Sequence, residues 1–423
     1  MEQPLWTPSV EAVKEGNLAR FMEHVCLGAQ SVENTDFTDH DALYSYSIER
    51  PDSFWNAVWD FCGVVGYRGN GPWLLDGDKM PGARFFPDAT LNFAENLLTG
   101  VGSGPAIIFK GEDRVKRELS FDELRAQVSG LQQAFRKIGV GPGDRVAAMM
   151  PNMPETVVAM LACTSLGAIW SSCSPDFGVQ GVLDRFSQIE PKVLIVCDGY
   201  YYNGKSLSIK DKLCAIHEQL PTVELTVVVS YLGDGDDLAG RLERAKTFDA
   251  ILKDHRADAL YFEQMPFSHP LYILFSSGTT GVPKCIVHSA GGVLLQHLKE
   301  HQLHCDLKAG ERMFYFTTCG WMMWNWLVSG LASGVTLLLY DGSPFYPSGN
   351  VLFDFADEEG MNFFGTSAKY IDALHKADLK PRDTHNLSSL RAMASTGSPL
   401  THEGFDFVYD AIKSDIHLAS ISG

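Results

Sequence analysis

The residues with most chemical potential lie between Leu271 and His288, in LYILFSSGTTGVPKCIVH. Leu271 to Phe275 is apolar and predicts a buried strand. Ser276, Ser277, Gly278, Thr279, Thr280 and Gly281 follow, six small residues of which four carry hydroxyls. Such a run crowds backbone N–H and side-chain O–H donors together, and Gly278 and Gly281 permit torsions closed to other residues. A nest of this kind binds a multiply charged anion. Pro283 stiffens the exit, and Lys284 brings a mobile positive charge to phosphate oxygens. An ordinary Ser/Thr/Gly surface loop does not combine a buried strand, a hydroxyl run, spaced glycines and Pro-Lys. The Gly-x-x-x-x-Gly-Lys-[Ser/Thr] phosphate loop is the nearest rival. Here Val282 follows Gly281 and Cys285 follows Lys284, so its Mg²⁺-binding hydroxyl is missing from its place.

The elements that must position this loop alternate between strand and helix. Strands are predicted at 106–110, 193–197, 223–230, 271–275, 312–316 and 335–339, and helices at 120–138 and 154–167. Ser120 with Glu123 three residues on forms a capping box for the first helix. GVGPGDRVAAMMPN is a turn feeding a strand. The rhythm predicts an α/β fold with mostly parallel sheets. Residues 1–100, rich in Trp, Phe, Asn and Pro, form a cap that includes the amphipathic helix FWNAVWDFCG. Residues 231–267 are charged and irregular, suited to surface helices and loops. A length of 423 residues calls for two or three packed subdomains.

Bulk properties exclude several classes. A formal charge of −18 argues against nonspecific binding to nucleic acid or anionic membranes. Apolar stretches at 146–168 and 326–340 are broken by Pro, Gly or polar residues, so no membrane span is expected. The first residues, MEQPLWTPSVEAVKEGN, fit neither a secretory nor a mitochondrial leader. Nine scattered cysteines without a Cys-x-x-Cys pair predict reduced thiols in the cytosol. His297, Glu300 and His301 spell His-x-x-Glu-His, an inverted zinc-protease motif, with His304 and Cys305 nearby. No third ligand is evident, and no metal site is assigned. Gly139, Gly141 and Gly143 mimic a dinucleotide fingerprint but precede a strand instead of following one. His288, after the loop, suits capping or lining the site and a structural role equally.

The 271–288 segment resembles the signature loop of the adenylate-forming enzymes: acyl-CoA synthetases, peptide-synthetase adenylation domains and luciferases. The likeness extends to GVGPGDRVAAMMPNMPETVVAMLACTSLGAIW, FTTCGWMMWNWLVSGLASGVTLLLYDG and RAMASTGSPL, and so across the chain. The cap and ARFFPDATLNFAENLLTG are most similar to the acyl-CoA synthetase branch that activates acetoacetate. The resemblance implies the large N-terminal domain of that fold, with two mostly parallel sheets and surrounding helices, core residues 101–423. It implies ATP, coenzyme A and Mg²⁺ as cofactors, acetoacetate as the acid, and small molecules as the sole partners. Ser276 through Gly281 with Lys284 match the phosphate loop, with Thr279, Thr280 and Lys284 as its catalytic members. Gly397, Ser398 and Pro399 match an adenine-contacting turn, with Thr396 beside the acyl group. Trp321, Met322 and Met323 flank the acyl pocket, while Trp324 and Trp326 suit core packing. Tyr202 and Lys205 stand where related synthetases place basic residues against CoA, though the residues alone suit a solvated turn as well. The resemblance also calls for a further glycine, a Thr, acidic residues and a small lysine-bearing domain after Ser422-Gly423. The expectation is therefore a chain cut at its C-terminus, inactive or nearly so. A noncatalytic nucleotide-binding fragment and a synthetase for another short-chain acid are the alternatives.

Overall fold

The computed structural model describes residues 4–29, 39–100, 102–276 and 281–422. Two seven-stranded sheets carry the architecture. The first runs Ala245–Thr247, Leu225–Val229, Val193–Cys197, Arg145–Met149, Ile169–Cys173, Pro270–Phe275, Cys285–Ser289 across its width. The second runs His417–Ser420, Ala392–Thr396, Phe363–Ser367, Arg312–Tyr315, Thr336–Asp341, Pro105–Gly111, Val115–Ser120. Each sheet is parallel except for its last pair, which is antiparallel. The predicted α/β fold with mostly parallel sheets is the fold observed.

Strand sequence explains why the second sheet is buried on both faces. Ile107, Phe109, Met313, Leu337 and Leu339 point into the core that the first sheet also lines. Their neighbours Ile108, Phe314, Leu338, Phe364 and Met393 point the other way, into a separate core with the helices Val351–Glu359 and Ala368–Lys376. The period of two along a strand forces this partition. Full burial of each such side chain contributes about 1.5–3 kcal/mol.

The helix Phe121–Lys137 begins at Ser120, where both halves of the predicted capping box form. The helix Pro154–Ser165 is buried at every residue, Glu155 included. That carboxylate survives burial because Arg117, on an edge strand of the second sheet, grips it through two bonds of 2.5 and 2.9 Å. The pair thus ties the two sheets. Val115–Ser120, Ile169–Cys173, Phe363–Ser367, Ala392–Thr396, Ala245–Thr247 and Cys285–Ser289 are strands beyond those expected, and the last two form the edges of the first sheet. Ala245–Thr247 lies inside the stretch expected to be irregular, yet it extends the first sheet. Cys285–Ser289 pairs with Pro270–Phe275 directly after the loop, and a helix starts at Ala290. No helix among the described residues is long and apolar enough to cross a membrane.

The cap joins the core through Asn92, which is 1% exposed. Its Oδ1 accepts from Glu95 N and caps the helix Phe93–Leu97. Its Nδ2 donates to the carbonyls of Thr164, Ser165 and Glu263 at 3.1, 2.9 and 2.8 Å. Two N–H bonds shared by three acceptors leave one bifurcated. Asn92→Asp would turn these donors into a buried anion facing three carbonyls. We expect a loss of roughly 3 kcal/mol or more, read as a lowered urea midpoint. An unchanged midpoint would remove Asn92 as the anchor.

Candidate functional site

In α/β sheets, ligands bind beyond the carboxyl ends of parallel strands. Here the carboxyl ends of both sheets open onto one cleft of ≈ 700 Å³. The first sheet contributes Asn152, Ser174, Asp176 and the tyrosines Tyr200 and Tyr202. The second contributes Thr317, Thr318, Asp341, Gly342, Thr366, Ser367, Thr396 and Gly397. The segment Trp321–Met323 closes the wall between them.

Each wall residue has an identifiable support. Trp321 is 62% exposed and begins the helix Met322–Ser329, whereas Met323 is buried. Behind them Trp324 donates its Nε1–H to Asn152 Oδ1 at 2.9 Å and stacks on Trp170. Trp326 donates to Glu300 at 2.8 Å. Both indoles are core residues, as expected. Ser172 Oγ donates to Cys319 O at 2.7 Å, joining the two sheets directly under the cleft. Thr396 Oγ1 donates to Ile421 O, and Gly397 follows at φ +87°, a torsion that favours glycine. Ser398 and Pro399 are exposed and stand outside the cleft wall.

The anion loop has a closed stem. Ser276 N donates to Lys284 O, and Lys284 N donates to Ser276 Oγ, both at 3.0 Å. Ser277, Gly278, Thr279 and Thr280 lie outside the described residues. Gly281 has φ +90°, and Gln188 holds the Pro283 carbonyl at 2.9 Å. The Lys284 residue is exposed. The loop is therefore a hairpin connection, with Phe275 opposite Cys285. The structure thus gathers Tyr202, Trp321, Met322, Met323, Thr396 and Gly397 in one cleft, while Ser276, Gly281, Lys284 and Lys205 fall outside its wall.

Asp341 was not foreseen. It ends the apolar run TLLLYD, and its Oδ2 is sealed from solvent without a hydrogen-bond partner. Burial pushes its carboxyl up to about 7, while the adjacent Tyr231 hydroxyl pulls the other way. A lone carboxylate closing an otherwise apolar strand was the available signal.

The His-x-x-Glu-His residues turn inward. His297 Nδ1 bonds Ser329 Oγ at 2.7 Å. His301 is fully buried, with neither ring nitrogen bonded, and packs edge-on against Trp326 at 4.4 Å. Glu300 is engaged by Gln296 and Trp326. Among the described residues no three His, Cys, Asp or Glu side chains group to hold a metal ion. The His288 ring packs tilted against Tyr272 with centroids 5.1 Å apart, and burial lowers its pKa.

Comparison with known proteins places these features. Residues 100–419 match the AMP-binding enzyme family, and residues 40–97 match the acetyl-coenzyme A synthetase N-terminus. The chain is 60% identical over 422 residues to acetoacetyl-coenzyme A synthetase of Rhizobium meliloti, covering 100% of this chain and 64% of that one. It is 42% identical over 432 residues to acetoacetyl-CoA synthetase of Mus musculus, covering 100% and 63%. The solved acetoacetyl-CoA synthetase of Streptomyces lividans superposes with a TM-score of 0.92 at 40% identity, covering 100% of this chain and 65% of that one. The chain thus spans less than two-thirds of the length of these relatives.

The buried histidines set an acid limit. Burial depresses His297 to about 3, and His301 shifts the same way. Unfolding restores an ordinary value near 6.5. The unfolded state therefore binds more protons between these values, and stability is whole above about pH 6.5 and falls as pH drops toward 3. His297 alone should remove about 2 kcal/mol by about pH 5. His297→Gln should flatten the decline in denaturation midpoint between pH 6.5 and 5. Parallel curves for the two proteins would contradict a neutral buried His297.

Proposed function

The chain belongs to the AMP-binding enzyme family, and from that premise we propose that it serves an ATP-dependent acid–thiol ligase joining acetoacetate to coenzyme A. The observation that carries this reading is the convergence of both sheets' carboxyl ends on one cleft. The reaction needs such an arrangement because a carboxylate resists thiol attack. A carboxylate oxygen first attacks the α-phosphorus of ATP, the bond to pyrophosphate breaks, and an acyl-adenylate forms. The thiol sulfur then attacks the acyl carbon, its proton departs, and AMP leaves.

Within this proposal, Ser276 through Gly281 and Lys284 hold the β- and γ-phosphates and stabilise the departing pyrophosphate, with Thr279, Thr280 and Lys284 as its catalytic donors. Mg²⁺ arrives with the triphosphate as part of the substrate, since it is bound chiefly through phosphate oxygens. Gly397, Ser398 and Pro399 take the adenine. Thr396, Trp321, Met322 and Met323 flank the acyl group. Tyr202 and Lys205 face coenzyme A. The division into a cap over residues 1–100 and an adenylation core over 101–423 belongs to the same proposal and agrees with the two matched segments. A cytosolic setting suits nine free cysteines. Other short-chain acids are the second reading, because none of the cleft-wall side chains singles out a β-keto group.

Acid-dependent ATP–pyrophosphate exchange, measured on the whole protein with acetoacetate, acetate, propionate and longer acids, tests the proposal. Acetoacetate should give the highest kcat/KM. Lys284→Ala should lower exchange roughly 100-fold, the cost of one charge-assisted contact to the transition state. Exchange indifferent to added acid would sink the ligase reading. Equal rates with acetate and acetoacetate would sink the substrate.

A further inference from the structure

The geometry points to Glu112 as a positioning residue that sets the tyrosine hairpin at the cleft mouth and so governs use of the thiol substrate. This inference rests on the ligase reading above. The hairpin pairs Gly199–Tyr202 with Lys205–Ser208 through the two-residue turn Asn203-Gly204. Both turn residues have positive φ, +53° and +73°, as a type I′ turn requires. A turn of this type leaves the N–H groups of its two central residues without partners inside the hairpin. Glu112 takes both: Asn203 N donates to Oε1 at 2.6 Å and Gly204 N to Oε2 at 2.9 Å. Ser343 N adds a third bond to Oε1 at 2.9 Å. A 1%-exposed carboxylate is tolerable only with such a set of donors.

The elements that meet here come from different sheets. The hairpin follows a strand of the first sheet, whereas Glu112 and Ser343 follow strands of the second. The contact is also shaped to exclude alternatives. A Cβ on Gly342 would lie 2.1 Å from Glu112 Cγ, and one on Gly204 would lie 2.6 Å from the Tyr346 ring. At the hairpin base a second buried carboxylate, Asp198, accepts from Tyr231 N, Leu232 N and Asp234 N at 2.8, 2.8 and 2.7 Å. Tip and base are thus both pinned. The period of two then sends Tyr200 and Tyr202 to the cleft, while Tyr201 packs edge-on against Tyr231 at 5.0 Å. Glu112 itself is not part of the cleft wall, so its effect passes through the hairpin.

Glu112→Gln keeps the shape but sets an amide donor against one of the three N–H groups. In the whole protein we expect the KM for coenzyme A to rise about tenfold or more, with acid-dependent ATP–pyrophosphate exchange within about twofold of the parent. Gly204→Ala, which tilts the same hairpin from its other side, should give the same selective rise. Hydrogen exchange should show the Asn203 and Gly204 amides protected in the parent and open in Glu112→Gln. An unchanged KM for coenzyme A, or an equal rise for all three substrates, would overturn the assignment. A parent protein without acid-dependent exchange overturns the ligase reading instead, and the amide protection then reports the positioning role by itself.

Discussion

Burial of the second sheet on both faces is the constraint from which the rest of the structure follows. Ile107, Leu337 and Met313 share a core with the first sheet, while Ile108, Leu338 and Phe314 are held by helices on the far side. A sheet buried on both faces has nowhere to place polar side chains except at its strand ends. Polar and small residues therefore collect past those ends: Thr317, Thr318, Gly342, Ser367, Gly397. The first sheet's inner strands are buried too, with only small hydroxyls such as Ser171, Ser172 and Thr226 admitted, and share the core, so the two sets of ends open onto common ground. The cleft is a by-product of how the sheets bury themselves.

The few charges admitted inside act as joints. Arg117 with Glu155, Glu112 with the hairpin tip and Asp198 with the hairpin base each connect segments far apart in sequence. Each is satisfied by two or three strong donors, as buried carboxylates must be. Asp341 differs: its buried Oδ2 lacks a partner, and burial raises its proton affinity.

Much of this was legible beforehand, and the legible parts share a cause. The capping box at Ser120, the strand Val193–Cys197 and the fully buried helix Pro154–Ser165 are local patterns, and local patterns declare themselves. Several strands were not legible, the edge elements among them. Ala245–Thr247 is too short to show a period, and the Cys285–Ser289 strand is masked by the glycine-rich turn before it. Glu112 was invisible because its meaning depends on an Asn-Gly turn some 90 residues later. The turn chemistry of Asn203-Gly204 was in plain view; the acceptor waiting for its N–H groups was not.

The order of strands has a bearing on biosynthesis. Pro105–Gly111 lies beside Thr336–Asp341, with Ile108 opposite Leu338, about 230 residues apart. At ribosomal rates of about 5–20 residues per second, the earlier strand waits roughly 10–50 s for its parallel neighbour. Until then Val115–Ser120 lies beside it, and the helix Phe121–Lys137 and the first sheet can cover its Ile107 and Phe109 side, but the Ile108 side waits for residues made after Arg312. The same two-sided burial that creates the cleft therefore leaves the nascent chain exposed for tens of seconds. The apolar face around Ile108 is the surface left open longest by this pairing.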